Sequence, residues 1–155
     1  MNLFALRQLS ISAAFFIVTQ ALAQAPAPVS VDGAWARASV QGQMATGAFM
    51  KLTAREPLRL VGASTPAAGV TEIHEMKMEN DVMKMRAVAG VDLVPGKAFE
   101  LRPGAHHVML MDLKAPLAKG STIPLTLRLR KADGQELRLE LQVPVTTGAP
   151  SSHMH

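Results

Sequence analysis

Residues 123–143 read IPLTLRLRKADGQELRLELQV, and this stretch decides the fold class. Leucine or valine alternates with polar residues on each side of Asp133-Gly134, which predicts a β-hairpin. Six other short segments bounded by Gly, Pro, Asn or Asp also read as strands: 45–53, 58–61, 71–78, 82–88, 98–101 and 108–113. Because no window shows a sustained helical period, we predict an all-β sandwich or barrel of about seven to nine strands.

The two ends of the chain read differently from this β-rich body. Residues 1–23 have the layout of a secretory signal peptide, with an apolar run that ends in Ala21-Leu22-Ala23. We expect cleavage after Ala23, with Ala25 as the alternative. An uncleaved anchor is the competing interpretation, but the apolar run is short for a bilayer, so we expect no stable membrane insertion. We assign 24–28 to a linker, 29–145 to one β domain and 146–155 to a flexible polar tail.

Composition narrows the possible functions. The chain has no cysteine, so we expect no disulfide, no thiolate metal ligand and no lipid attached through cysteine. The formal net charge is only +4, with one Trp and no Tyr, which argues against a nucleic-acid surface. Seven of the ten methionines are concentrated between positions 44 and 109.

Four of the potential metal ligands form the spaced pattern H-x10-M-x21-H-x-M: His74, Met85, His107 and Met109. Thioether sulfur is a soft, neutral donor that suits Cu(I) and offers little to zinc, calcium or magnesium. The pattern therefore predicts a Cu(I) site. The competing interpretation is that a methionine stripe fills the core and that each histidine is a surface or hydrogen-bonded core residue.

The first histidine and methionine of this pattern fall in a predicted hairpin, residues 72–87, that turns at Asn80-Asp81. Alternation along the strands places five side chains on one face, namely His74, Met76, Met78, Met83 and Met85. His74 and Met85 are then diagonal neighbours, about 7–8 Å apart. Met76, Met78 and Met83 are possible auxiliary metal ligands, with core or rim packing as the alternative. The opposite face is charged and includes a Glu75–Arg86 pair.

The second histidine and methionine lie in a strand that follows Pro103-Gly104. His107, Met109 and Met111 share one face of this strand, while Val108 and Leu110 point into the core. His106 faces away and is interpreted as structural. We expect an exposed metal site at the end of the barrel, with Met111 as a further auxiliary ligand.

These segments resemble the PCu(A)C family of periplasmic copper chaperones. The resemblance covers nearly the whole domain and rests on Asp32-Gly33-Ala34-Trp35-Ala36-Arg37-Ala38, Gly47-Ala48-Phe49-Met50, His74-Glu75-Met76, Met83-Lys84-Met85-Arg86, and the stretch from Leu101-Arg102-Pro103-Gly104 through His107-Val108-Met109-Leu110-Met111. It implies a cupredoxin-like Greek-key β-barrel, a periplasmic location, and Cu(I) bound by His74, Met85, His107 and Met109.

The resemblance also implies a function: supply of copper to the CuA centre of cytochrome c oxidase, with an oxidase subunit or a Sco-type protein as partner. The tail ends in His153, Met154 and His155, which either hold a second copper ion or are inert. We expect a monomer with no enzymatic activity, since no nucleophile–base pair is evident.

There are four alternatives to a copper chaperone, and one of them fits the candidate ligands equally well. A copper buffer or resistance protein would use the same ligands and differ only in its partner. An electron-transfer cupredoxin needs a cysteine thiolate, and a hydrolytic zinc enzyme needs a third histidine or a carboxylate. A metal-free adhesion or scaffold module is the remaining alternative.

Overall fold

The computed structural model describes residues 25–151. The predicted signal peptide with its expected cleavage site after Ala23, and the His153-Met154-His155 motif, lie outside these residues. The described chain forms ten strands: β1 (Val29–Arg37), β2 (Ala45–Ala54), β3 (Leu58–Ser64), β4 (Ala68–Glu79), β5 (Val82–Ala87), β6 (Val91–Leu93), β7 (Ala98–Leu101), β8 (His107–Leu113), β9 (Thr122–Lys131) and β10 (Glu136–Thr146). Within residues 25–151, no helix has the length and hydrophobicity required to cross a membrane.

The strands form one mixed sheet in the order β5-β4-β8-β2-β1-β10-β9-β3-β6, with β7 also paired to β2. Strand β1 connects the two halves of this sheet. It pairs antiparallel with β2 from Val29 to Ala36, and at its end Ala36 and Arg37 also pair parallel with the end of β10. A register shift between Asp32 and Trp35 interrupts the pairing of β1 with β2. Such a bulge bends a strand, so β1 can serve both halves.

Both halves contribute to a single hydrophobic core. Leu52 of β2 and Leu110 of β8 are completely buried in the same cluster as Leu60 of β3 and Leu127 of β9. The sheet therefore folds over on itself and encloses the core between its halves, as in a sandwich. The predicted all-β class is confirmed.

The predicted C-terminal hairpin is present as β9 and β10. Leu127 lies opposite Leu139, and Leu129 lies opposite Leu137. The connection is a three-residue loop rather than a two-residue turn, because the Lys131 N–H donates to the Gln135 carbonyl at 2.8 Å. Gly134 has a φ of 88°, and a glycine at this position is typical of the type I turn with a bulge.

The structure has ten strands rather than seven to nine because two strands carry weak sequence signals. Strand β1 is interrupted by its bulge, where Gly33 has a φ of 60°, and this breaks the period-two pattern. Strand β6 has only three residues and depends on pairing with Leu58–Leu60 of β3. Neither strand can be predicted from its own sequence, because each is defined by the strand it pairs with.

Candidate metal centre

The β4–β5 hairpin sets the positions of the first group of candidate ligands. Asn80 and Asp81 have φ values of 50° and 60°, as a two-residue turn of the type I′ class requires. This turn pairs Met78 with Met83 and Met76 with Met85, as predicted. His74 pairs with Ala87 and is thus a diagonal neighbour of Met85. On the opposite face, the Arg86 Nε donates to the Glu75 Oε1 at 2.7 Å.

Strand β8 brings the second group beside the first. His107 lies directly opposite His74, and Met109 lies opposite Glu72. The two imidazole rings have centroids 5.9 Å apart. Two histidines separated by 32 intervening residues in the pattern thus become neighbours across one strand pair.

The candidate site lies on the outer face of the sheet, opposite the core. Val108 and Leu110 of β8 are fully buried in the core, so the alternating residues His107 and Met109 face the other side. Phe49 is also buried but does not belong to the core cluster. The sequence periodicity identified the shared face correctly, but it could not indicate that a second, smaller cluster of side chains covers this face.

A cleft of about 300 Å³ opens on this outer face. Three of the four predicted ligands line it: Met85, His107 and Met109. Met76 is a further lining residue, and the Pro103-Gly104 turn closes one side. His74 is not a lining residue; it lies next to His107 and its side chain is only 12% exposed. The structure therefore brings all four predicted residues into one neighbourhood.

His107 is held in one orientation by the backbone. Its Nδ1 lies 2.9 Å from the carbonyl oxygen of Ala105. A carbonyl can only accept, so Nδ1 carries the proton and donates it. In the neutral ring the lone pair is then on Nε2, which is the atom left available as a ligand.

His74 is oriented by a carboxylate that sequence analysis missed. Its Nε2 lies 2.8 Å from the Oε2 of Glu72, two residues earlier on the same face of β4. Nε2 therefore donates, and in the neutral ring the lone pair is on Nδ1. Among the described residues, this Nδ1 has no hydrogen-bond partner although it is buried. In metal sites, the ring N–H of a ligating histidine often donates to a carboxylate. The sequence did contain a signal for this contact, because residues two apart in a strand, such as Glu72 and His74, lie on the same face.

A buried aromatic side chain packs beside His107. The Phe49 ring is 6.2 Å from the His107 ring and 4.6 Å from the Trp35 ring, centroid to centroid. It lies over Gly47, where an added Cβ would come within 2.7 Å of the Phe49 Cζ. Glycine at position 47 is thus needed for the ring to lie along the sheet. Gly47 and Phe49 both line the cleft.

Two charged groups flank the paired histidines. The Glu72 carboxylate lies on β4, whereas the Arg37 guanidinium lines the cleft from β1, 5.5 Å above the Phe49 ring. Burial lowers the pKa of His107 below its ordinary value of 6.5, and the Ala105 hydrogen bond opposes this shift. Nearby His74, His106 and Arg37 lower it further. His107 therefore favours the neutral form, the form in which imidazole binds metals.

The predicted auxiliary residues differ in their surroundings. Met78 and Met83 are 58% and 47% exposed, so core packing is the wrong interpretation for both. Met111 shares the outer face and is partly buried, but it does not line the cleft. His106 faces away, as predicted, with its Nε2 3.4 Å from the Oε2 of Glu75.

Within residues 25–151, no group of three or more His, Cys, Asp or Glu side chains is placed to hold a metal ion. The candidate site instead combines two imidazoles with methionine sulfurs. Imidazole binds a metal as a neutral donor and thioether sulfur is a soft donor, so this donor set suits a soft, low-charge ion.

Comparisons with known proteins define the class of this domain. The copper-bound PCuAC domain from PmoF2 has a TM-score of 0.58 and 20% identity, over 82% of this chain and 97% of that domain. The Cu(I)-bound solution structure of DR1885 from Deinococcus radiodurans has a TM-score of 0.55 and 34% identity, over 84% and 85% of the two chains. The fold is therefore PCuAC-like.

The family follows from sequence. Residues 29–145 match the family described as "Putative lipoprotein LpqE-like". The chain is 34% identical over 126 residues to "Putative lipoprotein Lxx21020" of Leifsonia xyli subsp. xyli, which covers 81% of this chain and 75% of that protein. The chain belongs to the LpqE-like family.

We expect Glu72 to determine the tautomer of His74. In Glu72→Ala the acceptor for the Nε2 proton is lost, so the metal-free protein should lose its preference for the Nε2–H tautomer. Glu72→Gln keeps an acceptor oxygen and should retain that preference. Long-range ¹⁵N–¹H correlation spectra of the histidine rings measure this directly. Glu75→Ala, which removes a carboxylate from the opposite face, is the control; an unchanged His74 spectrum in Glu72→Ala would contradict the assignment.

We expect His107 to make stability depend on pH. Because its pKa is lower in the folded protein than in the unfolded chain, the unfolded chain binds more protons just below pH 6.5. The free energy of unfolding should therefore fall as the pH drops below 6.5 toward the folded pKa. Urea denaturation of the metal-free protein on both sides of this pH measures the slope. His107→Gln should reduce it, and an identical slope in the variant would refute the prediction.

Proposed function

We propose that this protein is an exported, non-enzymatic Cu(I) metallochaperone whose ligands are His74, Met85, His107 and Met109. The observation that supports this most directly is the pairing of His74 with His107. Their rings adjoin, each has one nitrogen engaged by a second partner, and the remaining nitrogen of His74 is buried without a partner among residues 25–151. Met85 and Met109 supply sulfur in the adjoining cleft.

The donor set favours Cu(I) over Cu(II). Two neutral imidazoles and two thioethers match the soft monovalent ion, whereas Cu(II) prefers tetragonal nitrogen and oxygen ligands. The relative DR1885, at 34% identity, has a solution structure with Cu(I) bound. Copper is the cargo of this site, and no bond of the protein is made or broken apart from the metal–ligand bonds.

Partial exposure of one ligand suits transfer of the ion. His107 is 5% exposed, whereas Met85 is 48% exposed. An incoming ligand of a partner could displace the Met85 sulfur first, while the less exposed His74 and His107 still hold the ion. Release would then proceed by stepwise ligand exchange and not by loss of free Cu(I) to water.

We further propose that the protein acts in the periplasm and supplies the CuA centre of cytochrome c oxidase. An exported location is supported by the leader-like residues 1–23 and by the lipoprotein description of the family. The partner would be an oxidase subunit or a Sco-type protein. A copper buffer or resistance protein is the alternative, because it would use the same ligands and release copper to no specific acceptor. The His153-Met154-His155 tail remains a proposed second copper site.

Cu(I) competition against a colorimetric chelator tests the ligand assignment. The wild-type protein should capture close to one equivalent, and His107→Ala/Met109→Ala should lose this capture. Met85→Leu removes the sulfur but keeps an apolar side chain of similar size, so weaker binding by this variant cannot be attributed to unfolding. Glu72→Ala should weaken binding by about 10- to 100-fold, as outer partners of metal ligands typically do.

Met44→Leu is the matched control, since Met44 is 57% exposed and does not line the cleft. It should bind Cu(I) like the wild-type protein. Equal affinity of the wild-type and Met85→Leu proteins would exclude Met85 as a ligand. Failure of the wild-type protein to capture copper would refute the proposed function.

Gene deletion separates delivery from buffering. A chaperone predicts loss of cytochrome c oxidase activity at ordinary copper levels, restored by the wild-type gene but not by one encoding His107→Ala/Met109→Ala. A buffer predicts normal oxidase activity together with sensitivity to added copper. Spectroscopic quantification of the CuA centre in isolated membranes provides the measurement, and an intact centre in the deletion strain would contradict delivery.

A further inference from the structure

The end of the β4–β5 hairpin has an exposed pair of thioethers that the four-ligand site does not use. Met78 and Met83 lie directly opposite each other next to the Asn80-Asp81 turn. Their exposures are 58% and 47%, and neither lines the cleft. They share their face of the hairpin with Met76 and Met85.

Packing does not account for this pair. The core of the protein is built mainly from leucine and valine, and Met78 and Met83 lie outside it. A need for solubility does not explain the exposed methionines either. The charged side chains that make the hairpin soluble lie on its opposite face, where they form ion pairs such as Lys84–Glu79 at 3.2 Å. An exposed row of methionines on a two-stranded ribbon is unusual, since methionine is not among the residues that favour strands.

The pairing geometry lets both sulfurs reach one ion. Directly opposed residues of an antiparallel pair have Cβ atoms about 4.5–5.5 Å apart, and the methionine side chain is long and flexible. The next pair on this face, Met76 with Met85, lies two residues along the strands, or about 7 Å. That second pair lines the cleft. Thioether pairs therefore lead from the tip of the hairpin to the proposed copper site.

We propose that Met78 and Met83 form a second, weaker Cu(I) site. From this site the ion moves through Met76 and Met85 to the His/Met centre, and it leaves that centre by the same route. This inference rests on the proposed function. At each step one Cu–S bond forms as another breaks, so the ion remains Cu(I) and no electron is transferred. The outer pair binds more weakly because it has two donors, no imidazole and high exposure to water.

Methionine-methyl NMR distinguishes the two sites within one titration. With ¹³C-methyl methionine in the wild-type protein, anaerobic Cu(I) should first shift the Met85 and Met109 methyl signals. Further Cu(I) should then shift the Met78 and Met83 signals together. In Met78→Leu/Met83→Leu the second phase should be lost and the first retained. Met44→Leu, another exposed methionine, should leave both phases intact.

Each result has a separate meaning. If the Met85 and Met109 signals do not shift in the first phase, the proposed function itself fails. If they shift but the Met78 and Met83 signals stay unchanged through excess Cu(I), the outer site is refuted while the proposed function stands. In stopped-flow transfer from the chelator, the double variant should also load the inner site more slowly than wild type at unchanged affinity; an equal loading rate would refute the transfer route.

Discussion

The pairing register of β4 is the constraint on which the site depends. This strand pairs with β5 on one side and with β8 on the other, so its alternation sets which side chains meet on both. A slip of one residue would move every side chain of a strand to the other face. The turn at Asn80-Asp81 fixes the first pairing, and the buried Ile73, Val108 and Leu110 fix the second. The position of His74 opposite His107 follows from both.

The two histidines of the candidate site are oriented in different ways. His107 donates Nδ1–H to a carbonyl of its own loop, whereas His74 donates Nε2–H to the Glu72 carboxylate. The available nitrogen is thus Nε2 in one ring and Nδ1 in the other. Because both rings are held by hydrogen bonds and by packing, little side-chain freedom remains to be lost when a ligand binds. Gly47 contributes indirectly, because its missing side chain lets Phe49 lie beside His107.

The sequence could predict those parts of the molecule that depend on local alternation. The β9–β10 hairpin, the β4–β5 register and the shared face of His107 and Met109 all follow from period two and from turn residues. Strand β6 could not be predicted, since its three residues are defined by β3. The role of Glu72 was also missed, because its contact with His74 depends on rotamers. The aromatic packing beside the site could not be predicted either, because nothing in the sequence indicates that Trp35 and Phe49 stack on the outer face of the sheet.

The exposure of Met85 has a consequence for chemistry in an oxidising environment. Oxidants convert methionine to its sulfoxide, in which a polar oxygen is attached to the sulfur. A cysteine-free site escapes disulfide formation, but its outermost thioether is open to this reaction, whereas the buried His107 is shielded. Cargo would cover the sulfur that oxidants attack. For the proposed copper carrier, the metal-free form would therefore be more vulnerable to oxidation than the loaded form, and repair would require a methionine sulfoxide reductase in the same compartment.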